Sequence, residues 1–433
     1  MKNWILAGAA CAAAMGVAQP ALAATSPVLP YEASRPAIGV DQAVAAFYAS
    51  RGNAPLWLNT PQNVAAAREL VSVLRRAPLD GLNSGPALAA QAEAMLSRAA
   101  AGDATARAGA ERTLSAAWTL YVGALQSPPP GMTIADTWVT PRRDTPGQIL
   151  ARAAAAPSLS AHVRNVSAVN PVYAELRAAA QASGDQADPR VLDSLDRARA
   201  MPFQKRYVMV DTASARLWMI DNGQIVDSMK VIVGKSGAQT PMLASTIYRA
   251  TLNPYWNVPA DLVQSLIAPR VLDQGVGYLK AKNYELLDSD GASAQPLDPR
   301  SVDWKAVASG QASVRVRQLP GPANSMGQMK FGFPNATDIY LHDTPNKDLF
   351  DQASRGLSNG CIRLEDAPRL GRWLLGRDPA AAGNAPEQHV LLPTPVPIFV
   401  THLTAQANGG QLSYIGDTKG RDAAPAPVLA GLR

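Results

Sequence analysis

Cysteine is scarce in this chain: Cys11 and Cys361 are the only two in 433 residues. A disulfide framework is thereby excluded, and each thiol has to be explained by itself. Histidine is almost as rare, at four. His162, His342, His389 and His402 lack metal-ligand spacing, so no metal is expected, and no cofactor is expected either. Charge is sparse too, at 17% of residues, and the net +6 (pI near 9.3) comes from scattered Lys and Arg with no long basic run. Nucleic-acid binding therefore lacks its electrostatic footprint, while an anionic partner surface stays compatible. Beyond the N-terminus no apolar segment approaches membrane-span length without charges. No repeat of 20–50 residues is evident. What remains is a chain with 47% hydrophobic residues, ample for two or three packed domains.

The N-terminus reads as a secretory signal over residues 1–23. Lys2 supplies the positive start, Ile5 to Val17 the apolar core, and Ala21-Leu22-Ala23 a cleavage site before Ala24. A lipoprotein reading through Cys11 fits poorly, because Gly8 sits where a larger aliphatic residue is usual and the apolar run before Cys11 is short. An uncleaved anchor is the third option, and the run is short for that as well. Residues 24–36, rich in Pro, Ala and Ser, read as a linker. Removal of Cys11 with the signal leaves Cys361 without an internal partner. An exported protein with one oxidisable thiol either buries it as a small hydrophobe or uses it.

Residues 37–200 read as an all-α region. DQAVAAFYASRG has Asp41 as a candidate N-cap, Gly52 as a stop, and Val44, Phe47 and Tyr48 on one face. Helices follow over 65–77, 87–100 and 111–126, the last carrying Leu114, Trp118, Tyr121, Val122 and Leu125 at helical spacing and ending at Pro128-Pro129-Pro130-Gly131. Trp118 and Tyr121 read as core rather than as a ligand stripe. From 145 to 199 the pattern is again helical, with Pro157, Pro171 and Pro189 as boundaries. His162 stands alone there and reads as structural.

At about Gln204 the period drops to two. RYVMVD and ARLWMID alternate, and Asn222-Gly223 joins the second to QIVDSMKVIVG, a strong hairpin signal. Further strands are read in TIYRATL, SVRVRQLP, GQMKFGFP, TDIYLHD, VPIFVTHLTA and QLSYIGD, with one helix at 367–375. The expected fold class is α+β multidomain: an all-α scaffold followed by a β-rich catalytic domain over 204–406, then a tail over 407–433. Between 260 and 312 the alternation stops for too long to be a bare loop. That stretch reads as an inserted lobe lying over what the sheet presents, with Tyr255, Trp256, Tyr278 and Trp304 available for packing or ligand contact. The alternative is a surface excrescence.

Two phrases carry chemistry: IYLHDTP from Ile339 and SRGLSNGCIRLED from Ser354. Alternation along TDIYLHD puts Tyr340 and His342 on one side and Ile339, Leu341 and Asp343 on the other. Ser358-Asn359-Gly360 then forms a tight turn into Cys361. Glycine before the thiol permits φ > 0 and lets a substrate reach main-chain N–H groups able to face an oxyanion. A thiol is a poor nucleophile until it ionises, and His342 is the best-placed base in the β region. His389 and His402 occupy contexts that fit ordinary strand positions.

This constellation, a His-Asp near a strand end followed nineteen residues later (361 − 342) by Cys in S-x-G-C-x-R, resembles the L,D-transpeptidase family. It is similar to the larger periplasmic type with a helical scaffold and a capping insertion. NPYWNVP (253–259), VGKSGAQTP (233–241) and VRQLPGPANSMGQMKF (316–331) resemble that type as well. The likeness is strong over about 206–406. Upstream it rests on FYASRG-APLWL and APLDGL. Asn359 stands where many relatives have histidine, which leaves acid–base work to His342, and no separate peptidoglycan-binding module is evident. The resemblance implies periplasmic attack by Cys361 on the carbonyl preceding the terminal D-Ala of a tetrapeptide stem, a thioester, and transfer to a diaminopimelate-type amine, giving a 3-3 cross-link. It implies a main-chain carbonyl near Asp343 holding the imidazole, and N–H groups of Gly360 and Cys361, with Tyr340, at the oxyanion. Ser358, Asn359, Arg363 and Trp256 would bind substrate or shape the turn. For Arg363 a salt bridge to Glu365 or Asp366 is an equal alternative. Carbapenems are expected inhibitors. An L,D-carboxypeptidase using water, transfer to a carrier protein's lysine, and a non-catalytic wall scaffold are the other readings.

Overall fold

A computed structural model describes residues 39–141, 143–201, 206–289, 294–383 and 385–422. The signal, the linker, Cys11 and the last eleven residues of the tail lie outside them. Eight helices come first among the described residues: α1 (Val40–Ser50), α2 (Pro61–Arg75), α3 (Gly85–Ala100), α4 (Ala104–Leu125), α5 (Pro146–Ala155), α6 (Leu159–Ala168), α7 (Pro171–Ser183) and α8 (Pro189–Ala198). Their starts are written locally. Proline stands in the first turn of α2, α3, α5, α7 and α8, where its missing N–H costs nothing. Thr60, Asp103, Ser158, Asn170 and Asp188 each accept a main-chain N–H at a helix start, and Thr145 with Gln148 forms a capping box.

Trp57, Leu70, Leu74, Leu114, Trp118, Tyr121 and Leu150 fill the centre of this bundle and are fully buried. His162 packs edge-on against Trp118, ring centroids 5.6 Å apart. The phrase read as APLWL turns back onto α4, where the Glu111 carboxylate accepts the N–H groups of Leu56, Trp57 and Leu58 and the Tyr48 hydroxyl. In APLDGL, Asp80 is fully buried and is satisfied by Tyr121, Tyr173 and Arg177.

The region is not wholly helical. Between α4 and α5, β1 (Thr133–Ile134) lies parallel to β5 (Leu243–Leu252), with Thr133 opposite Leu243. A two-residue strand leaves no period-two trace in sequence. Its partner belongs to a sheet whose order runs β5, β10 (Met329–Gly332), β11 (Tyr340–His342), β13 (Ile362–Leu364), β4 (Gln224–Gly234), β3 (Arg216–Asp221), β2 (Tyr207–Asp211), β14 (Gln388–Thr401), and closes where β14 pairs back to β5. Asn222 and Gly223 both take positive φ in the β3–β4 turn, as a two-residue hairpin of right-handed twist requires.

Inside the closed sheet lie Val208, Val210, Leu217, Val231, Phe331, Leu341, Ile362 and Ile398, with Leu370 and Leu374 of the helix at Ala367–Leu375. Outside, a second apolar layer joins Tyr173, Leu176, Val191 and Leu195 of α7 and α8 to Tyr207, Met209, Ala244 and Phe399. Helices and closed sheet thus share a core, and the described residues from Gly39 onward form one packed unit.

The stretch between β5 and β10 is a lobe with its own core of Val263, Ile267, Val271, Leu279, Leu286, Trp304 and Val316. It is wider than the expected 260–312, since its sheet takes β6 (Trp256–Asn257) and β9 (Arg315–Gln318) at its ends. SVRVRQLP therefore pairs within the lobe instead of in the closed sheet. The segment from 407, expected as tail, instead completes a hairpin of β15 (Ala405–Asn408) and β16 (Gln411–Tyr414), turned by Gly409 and Gly410 at positive φ. Residues 415–422 then fold back onto the protein.

Candidate functional site

Strand register assembles the site. Phe331 opposite Leu341 and Leu341 opposite Ile362 point into the core. Their neighbours face outward, forming a row of Thr251, Lys330, His342 and Arg363 across four strands. Tyr340 stands one step along β11 from His342, ring centroids 5.8 Å apart.

The turn into Cys361 is held from three sides. The Ser358 hydroxyl donates to the Cys361 carbonyl at 2.6 Å and accepts the Gly360 N–H at 3.1 Å. Gly360 has φ 121°, in the region that favours glycine. Its carbonyl accepts the Thr240 hydroxyl at 2.6 Å, and Thr240 Oγ1 accepts the Gly234 N–H at 2.9 Å. The Gly360 N–H, expected at the oxyanion, is engaged by the Ser358 hydroxyl in this structure.

His342 is nearly fully buried, and its Nδ1 lies 2.6 Å from the Asp343 carbonyl oxygen. That contact requires the proton on Nδ1 and leaves the Nε2 lone pair free. Burial first, then the Arg363 guanidinium, pushes the imidazole down to about 3, so it is neutral at physiological pH. The Asp343 carboxylate points elsewhere. It accepts the Gln328 N–H at 3.0 Å and the Lys347 ammonium at 2.7 Å, and a side chain at Gly327 would collide with it. Asp343 thus serves the imidazole through its main chain, with its side chain fixing that main chain.

Cys361 is free and partly exposed, its Sγ 4.0 Å from the Asp338 carbonyl. Burial pushes the thiol up, while the Tyr340 N–H and hydroxyl and the Arg363 guanidinium favour the thiolate. Burial likewise raises Tyr340, keeping its phenol a proton donor beside the sulfur.

Arg363 has no acidic partner among the described residues. Glu365 instead receives the Lys230 N–H and faces Arg369, and Asp366 caps the helix at 367–375 and pairs with Arg369. The salt-bridge alternative fails because Arg369, one helical turn on, takes both acids. Asn359 is exposed on the turn. Trp256 is not brought to this group: its ring packs on Tyr284 inside the lobe, 6.3 Å away. Tyr278 and Trp304 pack in the lobe as well, and Tyr255 lies under Arg317.

Sequence reasoning missed Lys330, whose ammonium stands 5.3 Å from the Tyr340 ring centre, and missed Thr240. Alternation in QMKFGF does put Lys330 on the face opposite Phe331. Nothing local marks Thr240. Among the described residues no cluster of three or more His, Cys, Asp or Glu is gathered to hold a metal, and no helix is long and apolar enough to cross a membrane.

A free thiol in a glycine turn, a buried neutral imidazole and a phenol are gathered on the outer face of a closed sheet. Residues 205–398 match the family model of the L,D-transpeptidase catalytic domain, and residues 42–179 that of a scaffold domain. The chain carries an L,D-transpeptidase catalytic domain behind a scaffold domain. A Haemophilus influenzae protein named "Putative L,D-transpeptidase" is 30% identical over 233 residues, 52% of this chain and 46% of that protein, so the match spans under half of the relative. Among solved structures, a Mycobacterium smegmatis L,D-transpeptidase (14% identical, 46% of this chain and 58% of that one, TM-score 0.23) aligns with it. So does the Enterococcus faecium catalytic domain acylated by ertapenem (12% identical, 46% and 98%, TM-score 0.23). Superpositions this loose carry no argument, and the assignment stands on the family models.

Proposed function

We propose that the protein is a peptidoglycan L,D-transpeptidase that forms 3-3 cross-links through a Cys361 thioester. The Cys361 sulfur attacks the carbonyl between the third residue of a tetrapeptide stem and its terminal D-Ala. As the S–C bond forms, the thiol proton passes to Nε2 of His342. The Cys361 N–H and the Tyr340 hydroxyl are the donors left at the turn for the developing oxyanion. Collapse of that intermediate breaks the C–N bond, and D-Ala leaves with the proton from His342. An amine from a second stem then attacks the thioester, losing its proton to His342, and the thiol is regenerated. Arg363, without an acidic partner among the described residues, suits a carboxylate of the stem peptide. Residues 1–23, as a cleaved signal, would deliver this chemistry to the periplasm.

The observation that carries the reading is the imidazole held by the Asp343 carbonyl at 2.6 Å, which leaves its Nε2 lone pair free beside Tyr340. The test is incubation with disaccharide-tetrapeptide and product analysis, beside Cys361→Ala. Cross-linked dimer from the wild type and none from the variant is expected. Tripeptide alone would make the protein a carboxypeptidase, and no reaction a scaffold. Intact mass after carbapenem treatment should show an adduct that Cys361→Ala abolishes; an adduct independent of Cys361 would overturn the nucleophile.

A further inference from the structure

Residues 415–422 lie beyond the matched catalytic domain, which ends at 398, yet they reach the loop that holds the nucleophile turn. We infer that this C-terminal segment is a strap that sets the Cys361 turn, with Arg421 as a positioning residue acting through Thr240.

The strap is anchored at its base. Arg197 of α8 donates to the Arg421 carbonyl at 2.8 Å and to the Asp422 carboxylate at 2.7 Å, and also to the His402 carbonyl at 2.9 Å. Within the strap, Asp417 accepts the Asp422 N–H at 2.9 Å and faces His402 Nε2 at 3.1 Å. Thr404 donates to Asp422 at 2.6 Å. From this base the Arg421 guanidinium spans the gap to the loop after β4. It donates to the Thr240 carbonyl at 2.6 Å, the Gln239 amide oxygen at 3.2 Å and the Thr212 hydroxyl at 3.4 Å, while Gln239 returns a bond to the Lys419 carbonyl at 3.1 Å.

Thr240 is fully buried and couples that loop to the site. Its hydroxyl donates to the Gly360 carbonyl and accepts the Gly234 N–H, and the Lys235 N–H donates to the Ser358 carbonyl at 2.9 Å. One threonine therefore connects the strap to the residue before the nucleophile in two hydrogen bonds. Gly234 has no room for a side chain, because a Cβ there would strike the main chain of Ala238 and Thr240, so the loop packs closely against the end of β4. With the Gly360 carbonyl fixed, the peptide leading into Cys361 is fixed too, and with it the direction of the Cys361 N–H.

The test compares Arg421→Met, Arg421→Lys, Thr240→Val, Thr240→Ser and the double variant Arg421→Met/Thr240→Val, each at a temperature where circular dichroism shows it fully folded. Arg190→Met, which removes a surface contact to Tyr414 outside the strap, is the control. Expected for Arg421→Met and Thr240→Val is at least a tenfold fall in kcat with KM for the tetrapeptide within twofold. Arg421→Lys should restore part of the rate, Thr240→Ser should stay within threefold of wild type, and the double variant should be no slower than the worse single one. Folded single variants with kcat within twofold of wild type, or a double variant whose losses multiply, would overturn the inference. Should Arg421→Met not fold, the Thr240→Val and Thr240→Ser pair decides it alone. The inference rests on the transpeptidase reading only through that assay. Alkylation of Cys361 by iodoacetamide reads the turn whatever the substrate, and a rate unchanged in both Arg421→Met and Thr240→Val would also overturn it.

Discussion

Replacing His342 by glutamine should turn a pH-independent acylation into one that climbs with pH. The buried imidazole, pushed down to about 3, is neutral from pH 5 upward, and the Cys361 thiol, pushed up by burial, keeps its proton through the same range. Thiol and imidazole together therefore hold the same protons between pH 5 and 8, and the second-order rate of acylation by a carbapenem should be flat across it. Without the imidazole the thiolate must form by itself. An ordinary thiol near pKa 8.5 is about 3% ionised at pH 7, and burial lowers that share further. The variant should therefore be at least about 30-fold slower at pH 7, roughly 2 kcal/mol in barrier, with the deficit shrinking about tenfold per pH unit on the alkaline side. Intact-mass time courses at pH 5 to 9 measure both profiles. A wild-type limb centred near pH 6.5 would mean an ordinary titrating histidine and would refute the reasoning. A His342→Gln profile as flat as wild type would do the same.

The same imidazole has a consequence for stability. Between its ordinary value of 6.5 and about 3, the unfolded chain binds a proton that the folded one does not, so stability falls as pH falls through that window and is fully present above it. His342→Gln should flatten that acid limb in urea titrations at pH 4 to 7; an unchanged limb would count against a buried neutral ring. Gly327→Ala forces a side chain onto the Asp343 carboxylate at φ 59° and should cost about 2–4 kcal/mol in denaturant unfolding. Because Asp343 carries the carbonyl that aims His342, acylation of the folded variant should slow as well. Stability within 0.5 kcal/mol of wild type, about the range of a neutral surface change, would show that the contact relaxes freely.

Period-two alternation in TDIYLHD was enough to put Tyr340 and His342 on one side of β11, since a strand's geometry leaves only two faces. Asn222-Gly223 announced its hairpin for an equally local reason, the positive φ that both residues tolerate. What stayed hidden was set at long range. SVRVRQLP alternates like any strand, and nothing in those residues says whether β7 (Tyr284–Leu287) or the closed sheet will pair with it. Glu365 and Asp366 lie close to Arg363 in sequence, yet strand parity and one helical turn give both to Arg369. The Gly360 N–H looked available until Ser358, two residues away, was seen to fold back onto it. Arg421 and Thr240 stand 181 residues apart and carry no pattern at all.

The two residues of β1 have a practical consequence for anyone cutting the chain. A catalytic fragment started at 205 would lose the parallel partner of Leu243 and Ala244 and uncover an unpaired edge on β5. It would also bare Tyr207, Met209 and Phe399, now covered by α7 and α8. An open edge beside freshly wetted apolar surface is a template for self-association. A fragment stopped at 398 would in addition cut β14 three residues short of its end. The limits within which a domain is recognised in sequence and those within which its sheet edge and apolar layer stay covered are different limits, and the second set takes in the helices.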